Sequence, residues 1–429
     1  MATQAHNEAH FAQAVVDPLA YGEWNELLNI FEILRNDNPV FRVENGDVHE
    51  PFWFISRYED VMRISKDNKT FLNNPKGVVF GLNSSDALIK AITGDSPHLV
   101  SSMVTLDGDK HATYRPLTQE WFMPKSLKSL ENDLEALAKK TVDRFIENGP
   151  EADFVPLVSA PFPLHVVMQI LGVPESDEQR MLFLTQQMFG GQDEDLNKSN
   201  MADMTPEQIT QLVIGAVADF EQYFNGLAEE KRQNPGSDVA SIIANAKIDG
   251  AYMSDRDLAG YYILLASAGH DTTSASTAGA MMALAQDHEQ FQRLKADRTL
   301  LAGIVEEAIR WTSPVQHFMR TAAQDVEVGG TLIKEGDWLM INYVSANHDE
   351  RVFDNPRKFD ASRSPNRHMA FGAGAHQCLG LHMARMEMKI LFNEMLDRFE
   401  HIELAGQPQR ANSTFVGGLK TLPLKFTAA

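Results

Sequence analysis

Phe371-Gly372-Ala373-Gly374-Ala375-His376-Gln377-Cys378-Leu379-Gly380 holds the only cysteine in a chain of 429 residues. One thiol can form no internal disulfide, no thiol-based zinc cluster and no paired-thiol redox motif. The glycines let a backbone loop approach a flat ligand and take φ > 0 without penalty. The run from Leu379 to Leu396 predicts a helix, so Cys378 stands just before a helix N-terminus. There the dipole and the free N–H groups stabilise a thiolate and lower its pKa. Most free cysteines are buried and inert. A thiolate held by amide donors in a glycine loop, however, is what a haem iron takes as a strongly donating axial ligand.

Outward from this loop, the composition is that of a globular protein, 43% hydrophobic and 23% charged. The 38 Lys and Arg stand against 59 Asp and Glu, a formal net charge of −21. So acidic a surface repels polyphosphates and anionic lipid, which argues against nucleic-acid and membrane-surface roles. The N-terminus has no basic or apolar leader pattern. The most apolar stretch, Leu258 to Leu284, is interrupted by His270, Asp271, Thr272, Thr273 and Ser274, which suits a helix buried in protein. A cytoplasmic location is expected.

Length alone suggests about three domains. No linker divides the chain, and Gly149-Pro150 and Asn234-Pro235-Gly236 read as turns between helices. The expectation is one domain over 1–429, mainly α with minor β-sheet, with a β region at about 38–60 and a helical core at about 105–400. Phe41-Arg42-Val43 and Phe52-Trp53-Phe54-Ile55 flank Asn45-Gly46 as a hairpin. A second β region holds Val326-Glu327-Val328 and Trp338-Leu339-Met340-Ile341, with Gly329-Gly330 and Gly336-Asp337 as turns. Thr205-Pro206-Glu207-Gln208 supplies an N-cap, a first-position proline and a capping glutamine. Ile209, Leu212, Val213, Ala216, Val217, Phe220, Phe224 and Leu227 then mark one helix face. The acidic stretch 190–204 before it reads either as a mobile lid or as a plain solvated connection.

The spacing Phe-Gly-x-Gly-x-His-x-Cys-x-Gly resembles the haem-binding signature of the cytochromes P-450, with all six fixed positions present. That resemblance implies the P-450 fold, a long central helix over a haem b and the Cys378 loop beneath it. It carries over Phe371, Gly372, Gly380 and Ala268 as haem-binding residues and Cys378 as the iron ligand. Glu307-Ala308-Ile309-Arg310 resembles the family's Glu-x-x-Arg pair, whose i, i+3 spacing shares a helix face. Arg310 lies 68 residues before Cys378; away from this place, such a spacing is common on surfaces. Ala268-Gly269-His270-Asp271-Thr272-Thr273 resembles the oxygen-binding groove. Asp271 and Thr272 there imply a carboxylate and a hydroxyl that relay protons during dioxygen activation. Gly269 leaves room for a break in helix hydrogen bonding that Thr272 partly satisfies. Thr273, Ser274 and Ser276 read as back-bonded helix residues, and His270 as structural or partner-bonded. His111 with Arg115, Arg320, and His376 resemble the cations that hold the haem propionates.

Pro163-Leu164-His165-Val166-Val167-Met168, Arg310-Trp311-Thr312, Phe318-Met319-Arg320-Thr321 and Phe415-Val416-Gly417-Gly418 look like the bacterial α-terpineol hydroxylase branch. The resemblance implies hydroxylation of a small uncharged hydrophobic molecule: a terpenoid, an alicyclic or an aromatic. Its pocket would be lined by Leu264, Ser267 and Ala268, Val315 and Phe318, and Phe415 and Val416, with a further wall between Phe80 and Val104. Between Arg363 and Lys389, four cations (Arg363, Arg367, Arg385, Lys389) accompany one acid, Glu387, a local +3. Such a patch would steer an acidic iron–sulfur ferredoxin, itself fed by an NAD(P)H-dependent reductase. A haem sensor or carrier without turnover, or a peroxide-using variant of the same fold, is the alternative; Asp271-Thr272 argues against both.

Overall fold

The structure, a computed structural model, describes residues 2–189, 192, 193, 195 and 204–429. Most of the 190–204 stretch lies outside the described residues. Helices dominate, and the sheets are small. The helix Pro206–Gln233 begins as its sequence predicts: Thr205 Oγ1 accepts from the Gln208 N–H, and Gln208 Oε1 accepts from the Thr205 N–H. Its buried face carries Ala216, Val217, Phe220, Phe224 and Leu227. Phe224 stacks on Tyr262 of the central helix at 5.2 Å. Each such ring removed from water stabilises the fold by roughly 1.5–3 kcal/mol.

The hairpin pairs Val40–Asn45 with His49–Ile55, Phe41 opposite Phe54 and Val43 opposite Phe52. It forms one edge of a five-stranded sheet that continues through Trp338–Asn342, His317–Ala322 and Phe71–Leu72. The second β region divides differently from its reading as one unit. Val326–Val328 pairs locally with Thr331–Ile333 across Gly329-Gly330, while Trp338–Asn342 runs parallel to His49–Ile55. That long-range pairing buries all of Trp338–Asn342, which explains its continuous apolar run. One apolar cluster lies among the helices, and two smaller ones cover the two faces of the sheet.

The central apolar stretch is two helices, Asp255–Ala268 and Asp271–Gln286, separated at Gly269-His270. Ser254 caps the first, accepting from the Asp257 N–H. The helix after the cysteine starts at Leu381, two residues later than predicted, because Gly380 serves as its N-cap. Among the described residues no helix is long and apolar enough to cross a membrane.

Candidate haem site

Gly372 at φ 65° and Gly374 at φ 74° give the cysteine loop its path. Gly374 also packs on the end of the helix Tyr58–Lys66, where a Cβ would come within 2.7 Å of Ser65 O. The Cys378 N–H donates to Phe371 O at 2.8 Å, closing the loop across its seven-residue span. The thiol does not follow the expected downward shift. Burial pushes it up, and the Gly380 N–H, Arg115 and Arg385 offset this only in part.

Glu307 and Arg310 are fully buried rather than a surface pair. Arg310 forks onto both Glu307 oxygens at 2.8 Å and donates to Asn347 O at 2.7 Å. Glu307 also accepts from Arg363, Asn366 and the Asp360 N–H, so its lone pairs are saturated. Asn347 passes the brace on by accepting the Met369 N–H at 2.6 Å, two residues before Phe371. A second clamp lies beside it. Glu306 holds Arg385 at 2.6 and 2.8 Å and His368 at 3.2 Å, and the Arg385 guanidinium lies 4.7 Å from the Phe371 ring centre. These partners bring Glu306 down to about 2 against the burial that opposes ionisation.

The same pairs correct the expected basic face. Arg363 and Arg385 spend their charge on Glu307 and Glu306, acids that lie outside the 363–389 window in sequence. Glu387 is buried, and burial raises it well above the usual carboxylate range, so it offsets less of that charge than its sequence count suggests. Of the four cations, Arg367 and Lys389 are the exposed ones.

His111, Arg115, Arg320 and His376 converge. The His111 and His376 rings are 4.2 Å apart, and Arg115 donates to Gln377 O at 2.7 Å. Burial first, then Arg320, His111 and Arg115, hold His376 down to about 3. The Nε2 atoms of His111 and His376 are buried without a hydrogen-bond partner, although Asp107 Oδ1 lies 3.9 Å from the latter. Arg320 is 4% exposed, and its hydrogen bond within the protein goes to the adjacent Met319 O. A buried arginine, a half-buried one and two imidazoles whose Nε2 atoms lack a partner, set beside a thiol in a glycine loop, fit the propionates and iron of a haem. Bound there, a haem supplies the redox chemistry of dioxygen.

At the helix break, Thr272 Oγ1 donates to Ala268 O at 2.8 Å, as its place after Gly269 predicts. Asp271 Oδ1 lies 3.0 Å from His270 Nδ1, while His270 Nε2 meets Ala160 O at 3.1 Å. His270 is thus partner-bonded. Ala268 is exposed although Ala266 and Ser267 beside it are buried. Ser267 Oγ is spent on Ile263 O, and Ser276 Oγ on Thr272 O.

Of the remaining lining candidates, four come together. Val315 bridges to Val416, and the Phe318 and Phe415 rings are 5.5 Å apart. Leu264 is partly exposed on the central helix. Sequence reading missed Glu306, Asp107, Asp257 and His317. Asp257 accepts from Ser101 Oγ, Lys110 and the Tyr114 hydroxyl, tying the His111 segment to the central helix. Its only sequence signal was the capping spacing from Ser254.

The Cytochrome P450 family model matches residues 19–428. Cytochrome P450-terp of a Pseudomonas species is 40% identical over 98% of each chain. A steroid C26-monooxygenase of Mycolicibacterium smegmatis is 32% identical, over 92% of this chain and 90% of its own. The crystal structure of CYP108D1 from Novosphingobium aromaticivorans is 59% identical at a TM-score of 0.91, covering 98% of this chain and 99% of that one. A single thiol in a glycine loop, a saturated Glu-x-x-Arg brace and a match over nearly the full length lead to one assignment: the chain belongs to the cytochrome P450 family of monooxygenases.

Proposed function

We propose that this monooxygenase binds haem b through Cys378 and hydroxylates a small uncharged terpenoid, alicyclic or aromatic molecule. The observation that carries the substrate reading is the joined apolar wall of Val315, Phe318, Phe415 and Val416, with a neutral His317 behind it. No Lys or Arg belongs to that group, so a carboxylate substrate would be left unpaired. The 40% identity to P450-terp supports the same class. In this reading His111, Arg115, Arg320 and His376 hold the propionates. Asp271 takes protons from solvent, and Thr272 passes them on once its bond to Ala268 O is released.

Electrons come from an acidic iron–sulfur ferredoxin served by an NAD(P)H-dependent reductase. Its docking is steered by Arg367 and Lys389, since Arg363 and Arg385 are committed internally. Charge reversal at Arg367 and Lys389 slows reduction and flattens its salt dependence; unchanged reduction kinetics refute this part. For the substrate, small terpenes, alicyclics and aromatics are screened for displacement of the ferric haem's water. Micromolar binding of such neutral molecules is expected, and tighter binding of fatty acids overturns the assignment.

A further inference from the structure

Behind the aromatic wall lies a histidine that no part of the oxygen chemistry uses. His317 is fully buried at the start of the strand His317–Ala322. Its Nδ1 meets Thr414 O at 2.9 Å, and the Phe80 N–H points at its Nε2 at 3.3 Å. A carbonyl can only accept and an amide N–H can only donate, so Nδ1 carries the proton and Nε2 the lone pair. Burial holds the ring down to about 4, so it stays neutral at working pH.

That one tautomer joins three pieces of chain that are remote in sequence. Phe80 begins the 80–104 wall, Thr414 precedes Phe415, and His317 precedes Phe318. The Phe415 ring lies 5.7 Å from the imidazole and 5.5 Å from Phe318. The turn is fixed further by Gln316, whose N–H donates to Phe415 O at 2.8 Å. Thr414 is in turn held by Gln192, whose Oε1 accepts the Thr414 N–H at 2.9 Å.

We propose that His317 is a specificity-determining positioning residue, setting the distance between the Phe80 segment and the Phe415 turn and hence the size of substrate admitted. This rests on the substrate reading above. The test uses the holoprotein with a series of alicyclic alcohols from cyclopentanol to cyclooctanol, each Kd read from displacement of the ferric haem's water. His317→Phe keeps a ring and loses both hydrogen bonds; His317→Asn keeps a donor for Thr414 O and loses the acceptor for Phe80. The ratio of Kd between the smallest and largest alcohols is expected to change by about tenfold in His317→Phe, a step typical of one methylene in a shaped pocket. His317→Asn should fall between that variant and the parent. Equal ratios in all three proteins overturn the proposal.

Nitrogen-15 spectra of histidine-labelled parent protein, reduced and carbon-monoxide-bound, provide a check that needs no variant to fold. A protonated Nδ1 is expected at His317, and a protonated Nε2 overturns the proposal. If no alcohol binds the parent, the substrate reading fails and the specificity role with it, while a protonated Nδ1 still identifies the structural tie.

Discussion

Around the cysteine loop the hydrogen bonds are charged, buried and redundant: Glu307 accepts from two arginines, an asparagine and a backbone amide. Around the helix break they are fewer and mostly neutral: Thr272 to Ala268 O, and His270 Nε2 to Ala160 O. The first arrangement keeps its geometry when any one donor is lost. The second leaves groups that exchange partners at little cost, as proton transfer requires. Rigidity is thus concentrated where a ligand atom must be aimed, and compliance where protons pass.

The sharpest way to break this contrast is to unpair the rigid side. Glu307→Gln leaves Arg310 and Arg363 buried without a counter-charge and should cost about 3–5 kcal/mol of stability, read by denaturant unfolding. A loss no larger than that of a surface substitution would remove the distinction between the two regions. On the compliant side, Asp271→Asn should leave substrate binding and the melting temperature unchanged while slowing turnover by about 10²-fold, a size typical of lost proton delivery. An equal fall in substrate affinity would make Asp271 a structural residue instead.

Arg320 sits between the regions. On the proposed reading Arg320 would hold a propionate through charged hydrogen bonds, each worth roughly 1.5–3 kcal/mol, so Arg320→Leu should speed haem transfer to apomyoglobin by at least about tenfold. The smallest effect concerns Glu387, buried and without a hydrogen-bond partner at Oε2. Burial raises its folded-state pKa well above the unfolded value, so its contribution is full below about 4.5 and is lost as pH rises. Glu387→Gln should therefore unfold at higher denaturant than the parent at pH 7, with the gap closing towards pH 4.5. A gap independent of pH would mean that Glu387 has a charged partner.

What was legible in the sequence follows the same division. Cys378, its glycines and Glu307-Arg310 stand at fixed local spacings, so their places were readable before any tertiary contact was known. The break at Gly269 was readable too, because a glycine and a threonine within one helical turn predict it. The clamp of Glu306 on Arg385 was not, since the partners are 79 residues apart and only packing brings them together. For that reason the local charge of +3 overstated the exposed basic face. His317 was equally hidden, its role depending on carbonyl and amide groups that carry no residue-type signature.

The central claim is that Cys378 ligates a haem iron as thiolate. The most direct measurement is the absorption spectrum of the reduced protein under carbon monoxide, taken on the parent and on Cys378→His. A strongly red-shifted Soret band in the parent, lost in the variant, is the result this structure predicts. An imidazole-type spectrum in the parent, or a red-shifted band that survives in Cys378→His, would contradict it.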